Sequence, residues 1–314
     1  MMSTSSVDLD TQSAPMSRPK FSKSTLAGRM SLPGKQAVSS AVTFLYKSVR
    51  IEIAAHLTAI LAAEQVHSFP PFVRWFARVQ QSLMTTPVKG GATSTDATFY
   101  HLKKVDIQSA DFFGKAKDKL GFLKFTAIVE DDYGRRLPGV VFLRGQSVAI
   151  LLLVYPSHDP DAEDPADYDD SKAKVILTVQ PRVAAASMSV TEIPAGMFDL
   201  DDSAEESGSL SFTAQRELKE ECGLEIKAKD IIPLYTHDGG IYMSAGGCDE
   251  QIQFFYCRKL MSESYIKDLE GKFGGAEEEI GERITLRVIP LNELLTATQD
   301  AKTFCAFTLY NSLK

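Results

Sequence analysis

Arg216-Glu217-Leu218-Lys219-Glu220-Glu221-Cys222-Gly223-Leu224 packs three carboxylates into the end of a short helical segment that Gly223 terminates. A helix C-terminus carries about half a negative charge, so each acid in the last turn is disfavoured by about 0.3–1 kcal/mol. Glu217 and Glu221 are i,i+4 neighbours and Glu217 and Glu220 are i,i+3, which gathers the three carboxylates on one side of the helix, with Cβ atoms about 5–6 Å apart. A hard divalent cation, Mg2+ or Mn2+, offsets that repulsion, and such ions commonly hold substrate phosphates at the same time. An isolated E-x-x-E-E is more often a solvated acidic face, so the surrounding sequence has to decide.

The nine residues match the second half of the Nudix box, G-x5-E-x7-R-E-U-x-E-E-x-G-U, with Leu218 and Leu224 at the aliphatic positions, and the segment therefore resembles the metal-binding helix of that family. Gly196, in Pro194-Ala195-Gly196-Met197, fits the opening glycine but lies 20 residues before Arg216, where the box has 14. Six residues are inserted in the polar stretch 199–208, which reads as a loop. Asp202, Glu205 and Glu206 compete for the place of the first glutamate of the box. Other segments narrow the resemblance to the ADP-sugar and ADP-ribose pyrophosphatases, most closely the plant-type ADP-sugar diphosphatases. They are Gly121-Phe122-Leu123-Lys124-Phe125, Pro138-Gly139-Val140-Val141-Phe142, Glu192-Ile193-Pro194-Ala195-Gly196-Met197, Ser244-Ala245-Gly246-Gly247-Cys248-Asp249-Glu250 and Gly281-Glu282-Arg283-Ile284, in the family's order.

The resemblance implies a set of roles. Glu217 and Glu221 are the main metal ligands, Glu220 assists in metal binding and catalysis, and the backbone carbonyl of Ala195 joins them. Arg216 orients the glutamates, a positioning role behind the ligands. Arg182 resembles the substrate arginine that clamps phosphate. The loop at 244–250 is similar to S-P-G-G-x-x-E with Ala245 in place of proline, which makes Gly246, Gly247 and Glu250 substrate contacts. Glu282 matches the catalytic-loop glutamate and is a further metal ligand. The expected reaction is hydrolysis of an ADP-sugar, such as ADP-ribose or ADP-glucose, to AMP and a sugar phosphate in a homodimer. The cations neutralise the pyrophosphate and acidify the attacking water. Two alternatives stand beside it: a pyrophosphatase for another nucleoside-diphosphate sugar such as UDP-glucose, and a Nudix-fold sensor that binds ADP-ribose without cleaving it.

Composition agrees with an enzyme of ordinary globular make-up, with 44% hydrophobic residues in 314. The net charge of −7 argues against nucleic acid as a partner, because binding a phosphate backbone needs a basic surface. Four cysteines without C-x-x-C spacing point to a reducing compartment. The strongly apolar run Val148–Tyr155 is too short to span a membrane and reads as a buried strand. No acidic residue falls between Asp10 and Glu52, and the basic, Ser-rich start allows an organelle transit peptide, mitochondrial or plastid, as the alternative to a cytoplasmic enzyme.

The chain divides into a disordered or targeting tail (1–38), a helical and β-hairpin region (39–145) and a Nudix domain (146–314). Val42, Leu45, Val49, Ile53, Leu57 and Leu61 recur at helical spacing, which predicts a helix over 39–66 ended by Phe69-Pro70-Pro71. Strands are expected at 122–129, 137–143, 148–155, 175–180, 231–235, 251–258 and 284–289, with closing helices over 291–313. Residues 157–172 carry seven acids without a calcium-loop pattern and read as a solvated insertion. The fold class is α/β: a Nudix α/β/α sandwich with a mixed sheet, plus an N-terminal helix and β-hairpin subdomain.

Overall fold

Residues 42–53 alternate at period two, and that alternation builds strands where the sequence predicted a helix. In the computed structural model, which describes residues 40–85, 88–89, 97–114, 116, 118–159, 168–198, 210–235, 240–274 and 283–314, β1 (Val42–Tyr46) and β2 (Val49–Ile53) form an antiparallel hairpin. Lys47 and Ser48 take φ of 45° and 69°, the two positive values that a two-residue hairpin turn requires. Val49, Ile51 and Ile53 are buried while Arg50 is exposed. The spacing of Val42, Leu45, Val49 and Ile53 had passed over Phe44 and Ile51, which lie on the apolar side of the pleat with β-branched neighbours.

The helices come later. After α1 (Ala63–Ser68), the pair Pro70-Pro71 opens α2 (Pro70–Thr85) instead of ending a helix, because the first helical turn needs no N–H donors. Beyond a two-residue pair, β3 (Val88–Lys89) with β4 (Ala97–Thr98), come β5 (Tyr100–Phe113), β6 (Lys119–Asp131) and β7 (Val140–Leu143). The first sheet runs β1-β2-β5-β6-β7. Phe72 and Phe76 of α2 pack on Ile51, Ile107, Leu123 and Phe125 of this sheet to close its core. β6 and β7 pair as expected, Leu123 opposite Leu143, whereas the long β5 was not foreseen.

The second sheet belongs to the remaining chain. Its strands are β8 (Gln146–Pro156), β9 (Lys174–Arg182), β10 (Ser187–Glu192), β11 (Ala195–Met197), β12 (Ile232–Pro233), β13 (Ile241–Tyr242), β14 (Gln251–Met261), β15 (Phe273–Gly274) and β16 (Ile284–Pro290). Interleaved with them are α3 (Leu210–Cys222), α4 (Glu263–Leu269), α5 (Leu294–Ala297) and α6 (Ala301–Asn311). The order is β12-β14-β8-β9-β16-β15, with β14 and β8 parallel and β8 and β9 antiparallel, so the sheet is mixed. The apolar run of β8 explains the layering. Val148, Ile150, Leu152 and Val154 point to the side covered by α3 and α4, while Ala149, Leu151, Leu153 and Tyr155 point to the side covered by α6. Both faces are buried, giving an α/β/α sandwich.

β8 and β9 pair directly at Leu153 and Val154 and then diverge. β11 lines β8 and β10 lines β9 in the opening, and the mouth so formed is where the acidic end of α3 arrives. Of the acidic insertion, residues 160–167 lie outside the described residues. Asp170 at its end accepts hydrogen bonds from the Tyr155 and Tyr310 hydroxyls at 2.6 and 3.1 Å and tethers it to the sandwich. The segment 1–38 also lies outside the described residues. Among the described residues no helix is long and apolar enough to cross a membrane.

Candidate active site

Helix α3 carries its core residues Ala214, Leu218 and Cys222 on one stripe, and the adjoining positions Glu217 and Glu221 are drawn under the sheet with them, 8% and 6% exposed. Gly223 leaves the helix at φ 68°, and the Leu224 N–H turns back to the Leu218 carbonyl at 3.2 Å. The Glu221 carboxylate accepts the Ala195 N–H at 3.0 Å. Arg216 spans the group, with Nη2 3.1 Å from Glu217 and 3.3 Å from the Met197 carbonyl, and Nη1 3.0 Å from Glu220. Its guanidinium thus holds two of the three glutamates and the carbonyl end of β11 in one arrangement.

Gly196 leaves space that Glu217 uses. A Cβ there would lie 1.9–2.3 Å from the Glu217 carboxylate atoms, so the carboxylate occupies the volume that any other residue would fill. The Pro194-Ala195-Gly196 approach and the acidic end of α3 are therefore matched surfaces.

Across the cleft, Arg182 at the end of β9 forms a forked pair with Glu192 of β10, at 2.7 and 3.3 Å. Lys302 of α6 reaches the same Glu192 at 2.8 Å and Asp300 at 2.8 Å. Burial works to raise the Glu192 pKa, but Arg182 and Lys302 outweigh it and hold the carboxyl below its ordinary value. Burial likewise opposes charge on Arg182 and Lys302, and their acidic partners override it, so both cations are raised.

Glu250 completes the rim. Its carboxylate accepts the Ser147 hydroxyl at 3.1 Å and lies 3.4 Å from Arg144 Nε. These groups line one cleft of about 560 Å3, with Gln180, Met243 and Ile252, a size suited to a small organic ligand.

Arg182, Ala195, Glu217, Glu220, Glu221 and Glu250 are thus brought together. Gly246 and Gly247 are not among the residues lining the cleft. They form a turn whose Gly247 carbonyl accepts the Phe142 N–H at 2.7 Å, and a Cβ on either would meet nothing within 4 Å. Glu282 lies outside the described residues. Sequence reasoning missed Glu192, Lys302, Arg144 and Ser147 as site residues. Glu192 stood inside a quoted motif, but nothing local marks Lys302, which is 110 residues further along the chain.

The donors at the acidic end are carboxylate oxygens, the hard ligands that Mg2+ prefers. Among the described residues no group of three or more His, Cys, Asp or Glu side chains is gathered into a ready-made metal cluster. Mg2+ does not need one, since it commonly keeps several waters and takes one or two carboxylates together with substrate phosphates. The donor set fits such an ion.

No family model matches the chain. It is 38% identical over 215 residues to the protein named Nudix hydrolase 14, chloroplastic, of Arabidopsis thaliana, a match covering 67% of this chain. The aligned part spans 62% of that relative's own length. The chain belongs to the Nudix hydrolase family. Among solved structures, one titled as an ADP compounds hydrolase is 18% identical, covers 68% of this chain and 95% of its own, and superposes with a TM-score of 0.42. In this Nudix protein the box is interrupted by the insertion before α3, residues 199–209 lying outside the described ones, while its glycine and its glutamate helix still meet at Gly196 and Glu217.

Proposed function

We propose that this protein hydrolyses the pyrophosphate bond of ADP-sugars, ADP-ribose and ADP-glucose among them, to AMP and a sugar phosphate with Mg2+. The observation that carries the reading is the cleft itself: Glu217, Glu220 and Glu221 line the same opening as Arg182 and Lys302, so groups able to hold a cation and groups able to hold phosphate share it. The name of the Arabidopsis relative, a Nudix hydrolase, agrees with a hydrolytic reading.

Glu217, Glu221 and Glu220 would hold the metal, with the Ala195 carbonyl. The bound ion supplies charge neutralisation of the phosphates and a lowered pKa for a water. Arg216 keeps the glutamates in register, and Arg182 and Lys302 offer donors to phosphate oxygens while Glu192 fixes where those donors stand. Glu250, held by Ser147 and Arg144, faces the nucleotide end. Glu282, by its match to the family's catalytic-loop glutamate, would add a further carboxylate.

The test is a mass-spectrometric screen of the purified protein with Mg2+ against nucleoside-diphosphate sugars. AMP and sugar phosphate from ADP-ribose or ADP-glucose, at higher kcat/KM than from UDP-glucose, is the expected result. Equal use of UDP-sugars removes the adenine preference, and tight ADP-ribose binding without turnover makes the protein a sensor.

A further inference from the structure

A second cavity, of about 520 Å3, lies between α2 and the beginnings of β8 and β14, with Arg74, Trp75, Arg78, Tyr242, Asp249 and Gln251 in its walls. It is separate from the acidic cleft because the chain alternates between the two. Gln146 lines the one and Ser147 the other, Tyr242 the one and Met243 the other, and Asp249 and Gln251 the one while Glu250 and Ile252 line the other.

Arg74 and Arg78 are one turn apart on α2, a like-charged i,i+4 pair that weakens an isolated helix. Among the described residues neither guanidinium has a carboxylate within ion-pair distance. Arg78 donates to the Gln251 carboxamide and lies over the Tyr242 ring, 6.0 Å from its centroid. The acid of the cavity wall, Asp249, directs Oδ1 to the backbone N–H groups of Arg144 and Gly145, at 2.6 and 3.2 Å. Burial lowers the Arg74 pKa, attraction to Asp249 opposes this and repulsion from Arg78 adds to it. Two poorly compensated guanidiniums side by side in a cavity, in a chain of net charge −7, are unusual unless an anion completes them.

We propose that this cavity is a second ligand site, which takes the dianionic phosphate of a phosphomonoester on Arg74 and Arg78. Two guanidinium forks one turn apart can each present parallel N–H groups to phosphate oxygens, which two lysines could not do. Trp75 and Tyr242 supply flat apolar surface for the organic part of the ligand. The assignment does not rest on the hydrolytic reading of the acidic cleft.

Trp75 is the chain's one tryptophan, so its emission reports on this cavity directly. The full-length protein in EDTA is titrated with inorganic phosphate, AMP, ribose 5-phosphate and succinate, followed by tryptophan fluorescence and by calorimetry. Saturable binding of the phosphates is expected. Binding should weaken by at least about tenfold in the Arg74→Gln/Arg78→Gln double variant, as loss of charge-assisted forks requires. The unfolding midpoint of that variant checks that it folds. Arg78→Lys, which keeps the charge and loses the fork, provides a milder variant and should also weaken binding. AMP binding more tightly than inorganic phosphate marks a nucleotide site, and ribose 5-phosphate doing so marks a sugar-phosphate site. Glu221→Gln, in the other cleft, should leave the titration within about twofold. Absence of saturable binding to every phosphate, undiminished binding in the folded double variant, loss of binding in Glu221→Gln, or succinate binding as tightly as phosphate would each overturn the proposal.

Discussion

The Glu217 carboxylate stands in the space that a side chain on Gly196 would occupy, with Cδ 1.9 Å from the ideal Cβ position. Gly196 has no positive φ, so its role is to give room and not to turn the chain. The obstructing group is the mobile end of a side chain, which can move aside where backbone could not.

Gly196→Ala should therefore fold with a stability change below about 1.5 kcal/mol, the displaced carboxylate relieving the overlap, while turnover falls by roughly two orders of magnitude because a proposed metal ligand has been moved. Gly274→Ala is the contrast. Its Cβ would meet the Glu221 backbone carbonyl oxygen at 2.0 Å, so stability should drop by about 1–3 kcal/mol. Urea unfolding and kcat for both variants check the pair, and equal losses of stability would remove the distinction.

Glu221→Gln keeps the size of the side chain and can keep the acceptor for the Ala195 N–H while removing a charge from the proposed cation site. Turnover should fall by at least about a hundredfold with folding intact. Full activity in excess EDTA, or an unimpaired variant, would sink the metal-dependent mechanism.

The Glu192 network sets a pH dependence. Its carboxyl is held below the ordinary 4.5 in the folded protein, so the stabilisation is fully present above that value. It is lost as pH falls through the lower, folded-state pKa. Glu192→Gln removes the charge shared by Arg182 and Lys302, while Lys302 keeps Asp300, and should cost about 1–3 kcal/mol at neutral pH. The difference in unfolding free energy between wild type and variant should shrink from pH 5 toward pH 3. Parallel curves over that range would refute the assignment.

Arg182 and Glu250 should separate by kind of effect. Arg182→Ala should raise KM for ADP- and UDP-sugars alike, whereas Glu250→Ala should change the ratio of kcat/KM between them. Steady-state kinetics on the two nucleotides decide it; a base-dependent effect at Arg182 would reverse the two assignments.

Glu282→Gln should lower kcat far more than it raises KM, since a contact made in the transition state reduces kcat and kcat/KM together. Steady-state kinetics in which Glu282→Gln is unimpaired would remove Glu282 from the catalytic set.

Much of the site was legible before any coordinates because its chemistry is local. Glu217, Glu220 and Glu221 share a side through helical spacing, Gly223 ends their helix by its left-handed φ, and the unbroken apolar run of β8 could only be a strand covered on both faces. The N-terminal segment misled because six apolar residues fitted a 3.6-residue period while Val49, Ile51 and Ile53 fitted a period of two, and pairing with β5 decided for the strand.

The sequence by itself determined the acidic helix, its stop and the central strand, all properties of side chains within two turns or one pleat of each other. Tertiary structure alone decided that Gly196 makes room for Glu217, that Lys302 shares Glu192 with Arg182, and that Arg74 and Arg78 meet Tyr242 and Gln251 across a second cavity. Those groups are brought together by the packing of α2, α3 and α6 on the sheets, where burial and charge are set by elements far apart in the chain and no local periodicity records them.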